Sequence, residues 1–157
     1  SFFPRNLGEV ESLGFETDIV GEITPGWSVV AAYAYNDSEI TEDGDPAIEG
    51  NRPADIPAHN ARLWSYYRLQ DGPLRGFGLG GGVTWVGDRF GDDANTFEFD
   101  SYTRWDAAVS YERGGWTARV KFENLLDDED IVLNTASEAF VRVAEGFNVT
   151  ASVGYDF

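Results

Sequence analysis

The sequence predicts an all-β fold, an antiparallel segment of a transmembrane β-barrel of about seven strands. Three observations carry this. Apolar residues alternate with small or polar ones along most of the 157 residues, which is how a strand with one apolar face reads. Connections switch regularly between short Gly/Pro turns and long acidic loops, as expected when tight turns lie on one side of a membrane. Aromatic residues recur at the short-turn ends, where a ring with one wet end suits the membrane interface.

The strands are expected at roughly 8–23, 27–41, 57–70, 77–90, 102–113, 116–133 and 145–157. In the first, Phe15, Thr17, Ile19, Gly21 and Ile23 alternate with Glu16, Asp18, Val20 and Glu22. Trp27, Val29, Ala31, Tyr33 and Tyr35 make one face of the second. Ala61, Leu63, Ser65, Tyr67 and Leu69 alternate with Arg62, Trp64, Tyr66 and Arg68 in the third. Phe77, Leu79, Gly81, Val83 and Trp85 mark the fourth. Thr103, Trp105, Ala107, Val109 and Tyr111 alternate with Arg104, Asp106, Ala108, Ser110 and Glu112 in the fifth. Trp116, Ala118, Val120 and Phe122 alternate with Thr117, Arg119, Lys121 and Glu123 in the sixth. Phe147, Val149, Ala151, Val153, Tyr155 and Phe157 oppose Asn148, Thr150, Ser152, Gly154 and Asp156 in the last. No segment has a convincing 3.6-residue period, so no helix longer than two turns is expected.

Short connections fall at Thr24-Pro25-Gly26, at 71–76 and at Gly114-Gly115; long ones fall at about 42–56, 91–101 and 134–144. Proline fixes φ and glycine accepts positive φ, which accounts for the short turns. Trp27, Phe77 and Trp116 follow short turns, and Tyr67 and Tyr111 precede them. From Trp27 to Tyr35 a strand rises ~26 Å, or roughly 19 Å after a tilt of ~40–45°, close to the ~25 Å apolar band of such barrels. A soluble sandwich also alternates, but the loop alternation and the aromatic level favour a barrel. The face bearing Arg62, Arg68, Arg104, Asp106, Glu112, Arg119 and Lys121 then suits a hydrated lumen.

Acidic residues number 28 against 11 basic, for a net charge of -17. That balance argues against nucleic acid, which needs a basic footprint, and against simple docking of the chain on an anionic lipid surface. With no cysteine there is no disulfide or thiolate chemistry. The longest unbroken apolar run, Val29 to Tyr35, is far below the ~20 residues of a membrane helix. Ser1 at the first position, with no methionine, leads us to expect a mature product or a piece of a longer polypeptide.

Several motifs carry a resemblance. Gly8-Glu9-Val10-Glu11-Ser12-Leu13-Gly14-Phe15-Glu16 resembles a late strand opening of TonB-dependent siderophore receptors. Gly50-Asn51-Arg52-Pro53-Ala54-Asp55-Ile56-Pro57-Ala58-His59 resembles their Gly-x-Arg-Pro and Pro-x-His motif. Asn124-Leu125-Leu126-Asp127 resembles their Asn-Leu-Phe-Asp box, with leucine in place of phenylalanine. Tyr155-Asp156-Phe157 is similar to their C-terminal aromatic assembly signal. The motifs cover nearly the whole chain in the family's order. The resemblance implies a 22-stranded barrel, of which residues 1–157 are the C-terminal part, with plug domain and TonB box absent from this chain. It makes Tyr155 and Phe157 the expected assembly signal.

Acidic residues gather toward the long loops: Asp37, Glu39, Glu42, Asp43, Asp45 and Glu49; Asp88, Asp92, Asp93, Glu98 and Asp100; Asp127, Asp128, Glu129 and Asp130. Oxygen-rich clusters can bind Ca²⁺, but Asp43-Gly44-Asp45 lacks the EF-hand spacing; a solvated acidic rim is the simpler expectation. His59, the single histidine, has no partner motif and fits a strand start. Gly80-Gly81-Gly82 lies within a strand, where close packing or a bend is expected rather than a phosphate loop. Arg62, Arg68, Arg104 and Arg119 are candidate lumen contacts for an anionic chelate, weighed against simple neutralisation of lumenal carboxylates.

No catalytic, cofactor or metal residue is assigned, and no enzyme is expected. The expected role is barrel wall, extracellular loops and assembly signal of an outer-membrane receptor for ferric siderophores or similar chelates. The rival reading is a structural or assembly subunit without transport. The expected surroundings are outer-membrane lipid and lipopolysaccharide, with the remaining barrel strands or another chain closing the sheet. TonB and a ferric chelate would act only through parts of a full receptor beyond this chain.

Overall fold

The computed structural model describes residues 8–129, 132–137 and 140–157. They form strands and no helix: β1 (Gly8–Thr24), β2 (Trp27–Asp43), β3 (His59–Arg68), β4 (Phe77–Val86), β5 (Arg89–Phe90), β6 (Glu98–Phe99), β7 (Tyr102–Arg113), β8 (Trp116–Glu123), β9 (Val132–Ser137), β10 (Phe140–Val143) and β11 (Asn148–Tyr155). One seven-stranded sheet runs in the order β1-β2-β3-β4-β7-β8-β11, with every pairing antiparallel. Its outer strands, β1 and β11, have no further neighbour among the described residues, so the sheet is a partial, unclosed barrel.

The tight turns follow their chemistry. Gly114 (φ 60°) and Gly115 (φ 80°) join Arg113 to its cross-strand partner Trp116. A two-residue hairpin with both central φ values positive matches strand twist and favours glycine. Pro25 and Gly26 (φ 85°) close β1 onto β2 where Thr24 pairs with Trp27, and an irregularity in register beside Ile23 absorbs the extra residue.

The expected strand limits need correction in several places. The sixth strand was expected to run over 116–133 but stops at Glu123. Asn124 and Asp127 both take φ of 53°, a left-handed conformation that ends an extended run. β9 and β10 then pair as a separate hairpin over the expected 134–144 loop. The fourth strand ends at Val86 rather than at 90, and Arg89–Phe90 pairs instead with Glu98–Phe99 inside the next loop. The third strand starts at His59, not at 57, while the second continues to Asp43. The last starts at Asn148. Asp130, placed in the acidic rim from the sequence, lies outside the described residues, as do residues 1–7.

Register sets two faces. Cross-strand partners point to the same face, so Ser28, Val30 and Ala32 of β2 share a face with Tyr66, Trp64 and Arg62 of β3. That face continues through Gly80, Gly82 and Thr84 to Ala108, Asp106 and Arg104. It is the enclosed side of the curved sheet: Asp106 is 7% exposed and Ser110 3%. The opposite face is apolar and open, with Leu79 64% and Trp105 47% exposed. A water-soluble sheet buries its apolar face; this one shelters its polar face and presents Phe15, Ile19, Leu63, Val109, Val149 and Val153 outward. That inversion is how a barrel wall in lipid distributes its side chains.

Aromatic residues mark both edges of the apolar face. At the short-turn end Trp27 pairs with Tyr67, Phe77 packs on Tyr111 at 4.6 Å and Trp116 on Tyr155 at 4.9 Å. Nearer the long loops Phe15, Tyr33, Tyr35 and His59 form a second cluster, with the Tyr35 and His59 rings 4.9 Å apart.

Candidate functional site: the concave wall and its loop roots

The concave face carries the charged side chains that could meet a solute in the lumen. Glu16, Asp18 and Glu22 of β1 pair in register with Ala34, Ala32 and Ser28, and therefore form an acidic stripe on this face. Basic residues follow on β3, β7 and β8. Arg68 donates to Glu112 Oε2 at 3.0 Å, and Arg119 lies 3.7 Å from the other oxygen of the same carboxylate. Arg104 donates to Asp106 Oδ2 at 3.1 Å. Arg62 forms no ion pair or side-chain hydrogen bond among the described residues and is exposed, in the row Ala32–Arg62–Thr84–Arg104. The four arginines predicted from the sequence thus share one face. Arg68 and Arg119 converge on Glu112, and of these four arginines only Arg62 has no ion pair among the described residues.

Between the rows lies a recess of about 370 Å³ bounded by Ser28, Trp64, Tyr66, Ser110, Arg119 and Lys121. Its two rings lie across β4 because β4 has no side chains there. A Cβ on Gly80 would come within 2.7 Å of Trp64, and one on Gly78 would collide with the Tyr66 hydroxyl. Tyr66 and Ser110 share a hydrogen bond of 2.7 Å across that glycine row. The glycine stretch therefore serves close packing, as its position within a strand suggests.

Asn124 organises the root of the third loop. It is 2% exposed. Its backbone N–H donates to Asp106 Oδ1 at 3.0 Å. Its side-chain amide donates to the carbonyls of Asp128 (2.9 Å) and Glu145 (3.2 Å), and its Oδ1 accepts from the Asp128 N–H at 3.1 Å. Asp127 accepts from the Phe147 N–H at 2.6 Å. One buried asparagine so ties the strand end to both sides of the loop, and asparagine tolerates the left-handed backbone required. Arg104, Glu123 and Asn124 face Glu145 and Gly146 across a second recess of about 580 Å³.

The first two long loops clasp each other through 50–59. Ala54 N–H donates to Asp93 Oδ1 at 2.8 Å, Arg52 N–H to Asn95 Oδ1 at 3.0 Å, and Asn95 Nδ2 back to the Arg52 carbonyl at 2.7 Å. Asp55 N–H donates to the Phe90 carbonyl at 2.9 Å. Arg89, almost fully buried, lies 3.8 Å from Asp55 and 5.4 Å from the centre of the Phe99 ring. In the acidic rim the Thr96 hydroxyl and backbone N–H both donate to Asp92 and hold its carboxyl below the ordinary value. Among the described residues no group of three His, Cys, Asp or Glu side chains is arranged to hold a metal ion. His59 opens β3, and its Nδ1 shares a 2.8 Å hydrogen bond with the Tyr33 hydroxyl on the outer face. Tyr155, in the expected assembly signal, packs between Trp116 and Phe157.

Sequence reasoning placed Asp106 on the lumen face and Asp93 in the acidic rim but missed their contacts to distant backbone groups; it also missed Asn95 and the aromatic cluster toward the loops. A period-2 reading does contain the latter, since Phe15, Tyr33 and Tyr35 share the apolar face.

The family model described as TonB dependent receptor-like, beta-barrel matches residues 1–125. The chain is 38% identical over 82% of its length to the ferrichrome outer membrane transporter/phage receptor of Escherichia coli K12, covering 18% of that protein. It is 33% identical over 96% of its length to the ferrioxamine receptor of Yersinia enterocolitica, covering 21% of that protein. Its fold superposes on the crystal structure of the siderophore receptor PiuA from Acinetobacter baumannii with a TM-score of 0.83 and 29% identity, over 94% of this chain and 22% of that one. The chain thus spans about a fifth of the length of the relatives it matches.

Proposed function

The chain belongs to the TonB dependent receptor-like β-barrel family, and on that premise we propose that it is part of an outer-membrane receptor taking up ferric siderophores or similar chelates. It supplies wall strands, long outer loops and, through Tyr155 and Phe157, an assembly signal. The observation that carries this reading is the wall's inverted polarity: an apolar outer face open to lipid and an enclosed inner face of paired charges, hydroxyls and aromatic rings. Relatives named for ferrichrome and ferrioxamine support that ligand class. In this reading Arg62, with no counter-charge, is the wall residue most able to meet an anionic group of a chelate, and TonB acts through other parts of the receptor.

The test is uptake. The intact gene is expressed in a strain lacking its own chelate receptors, and radioactive iron is supplied as a panel of ferric chelates, with and without TonB. TonB-dependent accumulation of at least one chelate is expected. Purified receptor that binds none of them, in cells that gain no uptake, would leave the structural-subunit reading in its place.

A further inference from the structure

The short-turn rim carries a basic recess that the uptake role does not use. The 71–76 turn folds against the end of β7: Glu112 N–H donates to the Gly76 carbonyl at 2.9 Å, and a Cβ on Gly76 would lie 3.7 Å from Arg113 Cβ. Between them lies a recess of about 500 Å³ lined by Arg68, Arg75 and Arg113 with a single carboxylate, Glu112. Glu112 is already engaged by Arg68 and Arg119. Arg75 and Arg113 are exposed, and neither side chain has an ion pair or hydrogen bond among the described residues. Adjacent uncompensated cations are notable in a chain of net charge -17.

Height and facing identify the ligand. Arg113 pairs in register with Trp116, two residues beyond Tyr111 and its partner Phe77. It therefore sits on the lipid side at the aromatic level, where headgroups lie. Leu74, 57% exposed, precedes Arg75 in the same turn. Short turns of such barrels face the periplasm, so the adjoining leaflet is glycerophospholipid. Arginine matches phosphate geometry with paired N–H donors, and basic pockets at membrane level bind anionic headgroups.

We propose that Arg75 and Arg113 bind the phosphate of an anionic glycerophospholipid of the periplasmic leaflet, with Leu74 against its glycerol and acyl portion. The uptake reading is not needed for this; only the orientation of the wall is.

The test uses the intact receptor in detergent micelles doped with phosphatidylglycerol or phosphatidylcholine, with retained lipid read by native mass spectrometry. The wild type should retain phosphatidylglycerol with about a tenfold preference. Arg75→Gln/Arg113→Gln should lose it, Arg75→Lys/Arg113→Lys should keep part of it, and Arg62→Gln, a lumenal control, should keep all of it. Heat-modifiable migration on gels verifies folding of each variant. The proposal is overturned if the glutamine pair retains the lipid, if the lysine pair retains none, or if Arg62→Gln loses as much as the glutamine pair. Millimolar inorganic phosphate displacing the lipid from the wild type would also overturn it, in favour of a free-phosphate site.

Discussion

The two rims of the wall hold their connections by different means. On the short-turn side, Pro25-Gly26 and Gly114-Gly115 close hairpins from their own backbone preferences, with aromatic pairs flanking them. On the long-loop side, conformation comes from polar side chains reaching backbone groups far away in sequence: Asn95 to Arg52, Asp93 to Ala54, Asn124 to Glu145. Local chemistry suffices where a connection spans a few residues. Loops that stand in water above a membrane have no apolar core to organise them, and amide and carboxylate contacts to the backbone take that role.

The strand ladder joining the two rims should give the largest effect. Edges β1 and β11 each present a row of unpaired backbone groups, at a cost of about 1 kcal/mol or more apiece in lipid. Together they exceed a typical domain stability of ~5–15 kcal/mol. The isolated 157 residues, refolded in detergent, should therefore associate or aggregate. A monodisperse monomer with slow amide exchange in both β1 and β11 would contradict this.

Next come the faces. Ala151→Arg places a charge on the lipid side and should cost about 2–4 kcal/mol near the midplane, while Ser152→Arg, on the lumen side, should cost under about 1 kcal/mol. Denaturant titration of the intact receptor in vesicles measures both, and equal costs would refute the facing assigned to β11.

Asn124→Ala sharpens the contrast between the rims. It strips partners from the Asp128 N–H and the Asp128 and Glu145 carbonyls, worth about 2 kcal/mol once water reaches part of the site. The loss should appear as fast exchange and proteolysis confined to the third loop, with the short turns unchanged. Cleavage spread over both rims would mean that Asn124 supports the whole wall.

The smallest effect is expected at Asp92. Its carboxyl titrates below the ordinary value, first through the Thr96 hydroxyl. A depressed carboxyl stabilises the fold above its unfolded value, and that contribution fades as pH falls through the folded one. Thr96→Val should move the Asp92 titration upward in carboxyl-resolved NMR; an unmoved titration would exclude the hydroxyl as the cause.

Legibility in the sequence follows the same division. Alternation alone assigns Trp64, Tyr66 and the four lumenal arginines to one face, because a sheet's period leaves no freedom once the register holds. The short turns are readable from proline and glycine. The limit of β8 was not, because Leu125 and Leu126 continue an apolar pattern while the left-handed Asn124 before them ends the strand. The pairing of Arg89 with Asp55, or of Asp106 with Asn124, was equally invisible, since segments distant in sequence must meet before such contacts exist. The Asn124 and 50–59 motifs were recognised by resemblance, and the structure gives them a physical role as loop anchors.

The β1–β2 hairpin is taller than its neighbours. Its ladder continues to Gly8 and Asp43, whereas β2 leaves β3 at Tyr35 and His59. Residues 36–43 add roughly 25 Å of paired strand beyond that point. The first loop folds back along it, with the Gly50 N–H on the Ile40 carbonyl and the Ile40 N–H on the Asn51 carbonyl. On a living cell this buttressed mast would stand clear of the membrane surface with an acidic tip. So far from the rest of the wall, residues 36–43 keep their shape through their own ladder and the folded-back loop, not through β3.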